Sequence, residues 1–273
     1  MGLLEVRSGD LVIFTEVTKT FALGAASFTA IKDVTLRVRR GDIVILLGPS
    51  GCGKSTLLNL TAGLIAPTHG QVLYAGRPMD GLNASVAYMT QADHLFPWRT
   101  VAGNVGVPLE IAGVSRAQRT ARVAELLALV GLSDFASSYP NQLSGGMRKR
   151  AALARLLAAD RETLLLDEPF GALDAQLRLT LQVELLQVCR ALNKTVLFVT
   201  HDIEEAAALA DVCVVFQGLP GTIAKVIENP LPKDRDLRAL RFDPRHHAFT
   251  NELWAMLTPD LAVPPASSAA QMH

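Results

Sequence analysis

An α/β fold is predicted: a covered parallel sheet with an antiparallel β segment before it and a helical segment inserted into it. Three observations lead there. The runs 43–47, 163–166, 195–199 and 212–216 are apolar at consecutive positions, as strands are when helices cover both faces of a parallel sheet. Between the second and third of these, Leu177, Leu181, Leu185, Val188 and Leu192 recur at spacings of three and four, which describes a helix and hence a strand–helix–strand crossover. Upstream, Val34, Leu36 and Val38 alternate with Asp33, Thr35 and Arg37, the period of a strand with one wet face.

Taken in order, residues 11–14 form a short apolar strand that joins the alternating strand near 34–38 in an antiparallel sheet. The run 43–47 leads through a glycine-rich turn into a helix at 56–64, and a strand follows at 86–89. From about 92 to 160 no convincing strand is found. Residues 116–130 read as a helix stopped by Gly131 in a left-handed conformation, and 145–159 read as another. Asp202 followed by Glu205 predicts a capping box at the head of a helix over 203–209, with Asp202 accepting from the N3 amide and Glu205 reaching back. The expected organisation is therefore 1–91 (antiparallel β subdomain and first part of the core), 92–160 (helical subdomain), 161–227 (second part of the core) and 228–273 (C-terminal extension and tail). Pro264, Pro265 and the Ala/Ser residues after them bury too little to order themselves, so the last ten or so residues are expected to be disordered.

At 273 residues the chain suits one large domain with an inserted lobe. Lys and Arg total 26, Asp and Glu total 26, so no net field draws it to nucleic acid. Hydrophobic residues make up 49% and charged ones 19%, with a mean hydropathy of +0.27; either the core is generous or some apolar surface has a partner. No apolar run approaches the ~20 residues of a membrane-spanning helix. Glu5 and Asp10 interrupt the start where a signal peptide needs a basic and then an apolar stretch, so a cytoplasmic protein is expected. Cys52, Cys189 and Cys213 are widely spaced and support neither disulfides nor a zinc site.

The chemistry begins at Gly48, Pro49, Ser50, Gly51, Cys52, Gly53, Lys54, Ser55 and Thr56, which fit the phosphate-loop pattern G-x-x-x-x-G-K-[ST] in the strand–turn–helix context it requires. Glycines allow backbone N–H groups to turn toward phosphate oxygens, the helix start adds its positive end, Lys54 offsets β/γ charge and Ser55 can ligate Mg²⁺. The strand 164–166 ends in Asp167 and Glu168: the first can hold Mg²⁺, the second can polarise an attacking water. Guanine recognition through Asn-Lys-x-Asp is not met, because Asn193, Lys194 and Thr195 are followed by Val196.

Leu143, Ser144, Gly145, Gly146 and Met147 at the head of a helix resemble the signature of ATP-binding-cassette (ABC) ATPases, with Met147 where Gln is common. The family's other pieces follow in its order: Gln91 resembles the Q-loop, Gly171 to Asp174 the D-loop, and His201 the switch histidine, while Phe21 stands where the family stacks an aromatic on adenine, with Phe28 as a neighbouring competitor. The resemblance covers roughly residues 10–217. It implies a P-loop NTPase, RecA-like core, ATP and Mg²⁺ as cofactors, Glu168, His201 and Gln91 in hydrolysis, and Ser55, Gln91 and Asp167 at the metal. It also implies that Ser144, Gly145, Gly146 and Asp174 of one subunit close over the nucleotide of another, making a homodimer. Arg148, Lys149 and Arg150 are more basic than the family usually shows and read as a solvated helix face, with contact to lipid headgroups as the alternative. Tyr139 to Gly146, His94 to Val101, 167–174 and the short C-terminal segment 227–257 resemble nitrate/sulfonate/taurine importer ATPases. That likeness implies a peripheral subunit on the cytoplasmic face of the bacterial inner membrane. Its partners would be integral-membrane permease subunits, engaged through Leu95, Phe96 and Trp98, and indirectly a periplasmic or lipid-anchored solute-binding protein. A non-transport ABC ATPase acting on nucleic acid is the alternative class, though tandem cassettes or a long coiled-coil insertion, usual in that class, are missing here.

Overall fold

The computed structural model describes residues 7–24, 26–171 and 173–257; the tail expected to be disordered lies outside them. The chain runs β1 (Asp10–Leu23), β2 (Ala26–Arg39), β3 (Ile43–Leu47), α1 (Lys54–Thr61), β4 (His69–Tyr74), β5 (Arg77–Pro78), β6 (Val86–Met89), α2 (Val101–Ile111), α3 (Arg116–Leu129), α4 (Gly145–Ala158), β7 (Thr163–Asp167), α5 (Ala175–Ala191), β8 (Thr195–Thr200), α6 (Ile203–Leu209), β9 (Val212–Gln217), β10 (Thr222–Glu228) and α7 (Pro244–Leu257). Strands β2-β1-β4-β5 make one sheet, and β10-β9-β3-β8-β7-β6 make the other. In the second, neighbours from β9 to β6 are parallel and only β10 is antiparallel.

The apolar runs became central strands because both of their faces are covered. Ile43, Ile45 and Leu47 point into one buried cluster with α2 to α6, whereas Val44 and Leu46 point into a second cluster with α1 and the β1/β2/β4 sheet. The same alternation sends Leu164 and Leu166 one way and Leu165 the other. Each such side chain contributes roughly 1.5–3 kcal/mol on leaving water, so the sheet is the most heavily stabilised part of the chain.

Several elements differ from the sequence-based expectation. β1 and β2 each run for 14 residues, far beyond 11–14 and 34–38, because they pair along their full length, with bulges that break the alternation. β4 and β10 were not foreseen: β4 opens on His69, Gly70 and Gln71 and β10 is half-exposed along its length, and pairing with a neighbour rather than their own pattern makes them strands. α1 starts at Lys54 and ends at Thr61, two and three residues before the expected bounds. α2 was missed, since Pro108 lies within it. Gly131 has φ 63°, as expected of the stop after α3. The capping box is half made. Asp202 accepts from Glu205 N at 3.1 Å, but the Glu205 carboxylate does not reach back; it accepts from Gln182 Nε2 of α5 at 3.0 Å. Burial between the helices pushes the Glu205 carboxyl up to about 7, and the Asp202 amide turns to Thr200 Oγ1 instead.

The segment after β10 is tied down by Arg235, which donates to the carbonyls of Ala208, Leu209 and Ala210 at the end of α6 and lies 3.5 Å from Asp211. Asp211 also receives Arg190 through both oxygens and the amide of Ile43. Burial lowers the Arg235 guanidinium to about 10, a cost offset by its ring of carbonyl acceptors. All three cysteines are free and buried.

Candidate functional site

Parallel pairing brings the carboxyl ends of β3, β7 and β8 together, with Leu47 opposite Thr200 and Asp167 opposite Val199. Residues one step beyond these ends therefore meet at one edge of the sheet, where ligands bind open α/β sheets. There Gly48 turns the chain toward α1. A Cβ on Gly48 would stand 2.7 Å from Phe216 O, and one on Gly53, at φ 90°, would stand 2.4 Å from Ile31 Cγ2 and 2.6 Å from Ala30 O. Gly51, at φ 82°, has nothing within 4 Å of such an atom. The loop is thus pressed against the protein at both ends and open in the middle. Lys54 is buried, and its Nζ donates to the carbonyls of Gly48 (2.8 Å) and Pro49 (2.6 Å). Ser55 is exposed, and Cys52 and Thr56 are buried.

A cavity of about 270 Å³ opens over the loop, lined by Phe21, Phe28, Ala30, Ser50, Gly51, Gly53, Lys54, Ser55, Thr56, Gln91, Asp167, Glu168 and Val199. Glu168 has φ 48° and donates its amide to Val199 O; a left-handed glutamate costs of order 1 kcal/mol and here aims the carboxylate along the cavity. Its Oε2 accepts from Gln91 Nε2 at 3.3 Å, and its Oε1 lies 3.1 Å from His201 Nδ1. Gln91 and His201, 77 and 33 positions from Glu168 in sequence, therefore join it in one cluster. Asp167 is buried beneath them. Burial foremost raises its carboxyl above the usual range, opposed by a hydrogen bond from Ser55 and reinforced by the Glu168 charge. Among the described residues no cluster of three or more His, Cys, Asp or Glu could hold a metal by itself. The oxygen donors of Ser55, Gln91 and Asp167 instead match Mg²⁺, which takes one or two carboxylates and leaves room for phosphate and water. Two adjacent carboxylates lining the cavity beside Ser55 and Gln91 fit that cation.

Phe21 and Phe28 are directly opposite on β1 and β2, so both rings lie on one side of the ribbon at the cavity's rim. Lys19 Nζ sits 5.2 Å from the centre of the Phe21 ring, whereas Phe28 is more exposed.

Ser144, Gly145 and Gly146 do not line this cavity. They open α4, where the Ser144 hydroxyl accepts from Met147 N at 3.2 Å, with Ser144 and Gly145 exposed. Asp174 likewise caps α5, accepting from Leu177 N, and stands outside the cavity. Arg178 connects its neighbourhood to the His201 segment through Leu173 O and Asp202 Oδ2, both at 3.1 Å.

The basic run after the signature is not a solvated face. Arg148 pairs with Asp93 at 3.1 Å and donates to Leu143 O, Lys149 Nζ donates to Gln91 O, and Arg150 donates to Val130 O and Gly131 O at the end of α3. Each cation found a carbonyl or carboxylate on a neighbouring element, a choice the helical period alone does not reveal. Asp93 and Arg155, which bind one another's region through Arg155 NH2 and Asp93 O, were missed for the same reason. Leu95 turns inward to the core, Phe96 is half-buried and packs at 5.3 Å against Trp98, and Trp98 is 71% exposed. A cleft of about 210 Å³ is lined in part by Tyr88, Asp93, His94, Pro108 and Arg155, and the Arg155 guanidinium lies 6.0 Å from the centre of the Phe96 ring.

Residues 31–171 match the family model described as ABC transporter. The taurine import ATP-binding protein of Pseudomonas entomophila is 44% identical over 224 residues, covering 81% of this chain and 86% of that protein. The nitrate import ATP-binding protein of Synechococcus elongatus is 40% identical over 233 residues, 84% of this chain and 35% of that longer protein. Among solved structures, a dimeric ATP-binding cassette in a post-hydrolysis state with ADP and Pi superposes with a TM-score of 0.75 at 31% identity, covering 81% of this chain and all of that one. With the phosphate loop, the carboxylate-ended strand and the signature helix on one P-loop α/β core, the chain belongs to the ABC transporter family as an ATP-binding, ATP-hydrolysing subunit.

Proposed function

We propose that this chain energises a binding-protein-dependent importer of a small anion or organic solute of the nitrate/sulfonate/taurine type, as a homodimer beneath permease subunits on the cytoplasmic face of the bacterial inner membrane. The observation that carries the reading is the Glu168 carboxylate, held between Gln91 and His201 over the phosphate loop, while the signature cradle of the same chain faces elsewhere. A chain with one loop and one outlying cradle completes two sites by pairing head to tail. The relatives' names support import of a solute of this class, and among the described residues no helix is long and apolar enough to cross a membrane, which leaves the passage to partner subunits. Trp98, exposed and packed against Phe96, is suited to receive one of them.

In the assembled site, Lys54 and the loop amides bind the phosphates, and Phe21 or Phe28 meets the base. Ser55, Asp167 and Gln91 would hold Mg²⁺, which would supply charge neutralisation at the phosphates. Glu168 orients and deprotonates the attacking water, and His201 steadies that carboxylate and the developing γ-phosphate charge. Ser144, Gly145 and Gly146 of one copy present helix-end amides to the other copy's phosphate, with Asp174 close to that junction. Glu168→Gln keeps the shape and removes the base. It should bind ATP, lose roughly 10²–10⁴-fold in hydrolysis and accumulate as an ATP-bound dimer by light scattering. Adding Ser144→Arg should return it to monomer. Wild-type hydrolysis in the first variant, or a dimer indifferent to the second change, would overturn the composite site; copurification of a permease from mild detergent tests the importer reading separately.

A further inference from the structure

α4 does more than present the signature at its first turn; it grips the Gln91 loop from behind. Arg155 donates to the carbonyls of Asp93 and His94, both at 2.8 Å, Arg148 pairs with the Asp93 carboxylate, and Lys149 Nζ donates to the Gln91 carbonyl. Lys149 differs from the two arginines. Like them it is half-buried, but besides Asp93 the charges of Asp167 and Glu168 also act on its ammonium. Two of these carboxylates are the ones assigned above to the metal and the water, and Gln91 is the residue assigned to both.

We infer that Lys149 is a positioning residue that sets metal affinity from α4. Its ammonium fixes the Gln91 carbonyl to the signature helix and competes, as a like charge, with a divalent cation drawn to Asp167 and Glu168. The inference rests on the proposed Mg²⁺ site. Like charges facing the same carboxylates oppose one another even in a partly screened setting. Entry of the cation therefore weakens the Lys149 hold, and because Lys149 and the signature share α4, the Gln91 loop and the signature feel the metal together. Lys149 is named for positioning, since its contact is to the Gln91 backbone rather than to the reacting atoms.

The test uses the full chain and AMP-PNP, a non-hydrolysable ATP analogue, with binding followed by calorimetry across a Mg²⁺ series and in EDTA. Lys149→Gln should lower the half-saturating Mg²⁺ by about three- to ten-fold. Amide hydrogen exchange over residues 92–95 should quicken in the same variant without nucleotide. Lys149→Arg keeps the charge and should restore the wild-type Mg²⁺ value. Unchanged or weaker Mg²⁺ dependence in Lys149→Gln, or a tightening shared by Lys149→Arg, overturns the inference. Asp167→Asn separates this from the underlying reading. If wild-type binding ignores Mg²⁺ and Asp167→Asn changes nothing, the metal site is misplaced; if Asp167→Asn weakens Mg²⁺ binding and Lys149→Gln does not tighten it, only the role of Lys149 falls.

Discussion

Two helices of this protein begin at glycines, and the glycines are there for different reasons. At α1, Gly48 and Gly53 are required by the chain's own packing: a Cβ at either would meet backbone oxygen at 2.7 or 2.6 Å, and Gly53 is left-handed at φ 90°. The helix has no side-chain cap, and its lysine is folded onto loop carbonyls. At α4, Ser144 caps the helix in the ordinary way, and a Cβ on Gly145 would meet nothing nearer than the movable Arg148 NH2 at 3.9 Å. Folding does not need a glycine there. On the proposed composite site, a close approach by the other copy's nucleotide would call for a glycine there, and that is how such a cradle would differ from the chain's own phosphate loop.

The sharpest way to break this contrast is Gly53→Ala. Strain at a positive φ and overpacking against Ile31 and Ala30 together should cost about 2–5 kcal/mol of stability, read as a lower denaturation midpoint. Next, Lys54→Ala tests whether the buried lysine serves phosphate rather than the loop. Mg-ATP affinity should fall by about 1.5–3 kcal/mol, the worth of a charged hydrogen bond, in a calorimetric titration, with a far smaller change in stability. Unchanged binding would show that the loop amides suffice. At the rim, Phe21→Ala and Phe28→Ala divide the stacking role, and the ring that meets adenine should cost about 1–3 kcal/mol of nucleotide affinity. The Lys19 ammonium beside Phe21 makes Phe28 a strong competitor. Gly145→Ala has the smallest expected effect on the fold, within about 0.5 kcal/mol, yet it should lower ATP-driven dimerisation. If it unfolds the protein as Gly53→Ala does, the distinction between the two helix starts is wrong.

Much of this was legible in the sequence because it is local. A phosphate loop is a run of nine residues whose glycines, lysine and hydroxyls act within one turn. A strand apolar on both faces and ending in Asp167 and Glu168 declares its place in a covered sheet and the edge at which its carboxylates emerge. The order of motifs, together with the signature, was enough to indicate the family. Side chains whose partners lie on other elements were not legible. The sequence offered Glu205 a capping role, but Gln182 on α5 lies alongside and takes its carboxylate. It showed three cations after the signature without showing that Gln91, Asp93 and the end of α3 are their acceptors. β4 and β10 carry no pattern of their own and are strands because β1 and β9 offer them edges. Composition and short-range spacing determined which chemistry the chain can perform, since backbone turns and strand ends depend on neighbours in sequence. Only the tertiary structure decided that Gln91 and His201 flank Glu168 and that α4 holds the Gln91 loop. Those contacts join residues tens of positions apart, and which groups meet there depends on how the strands register and the helices pack.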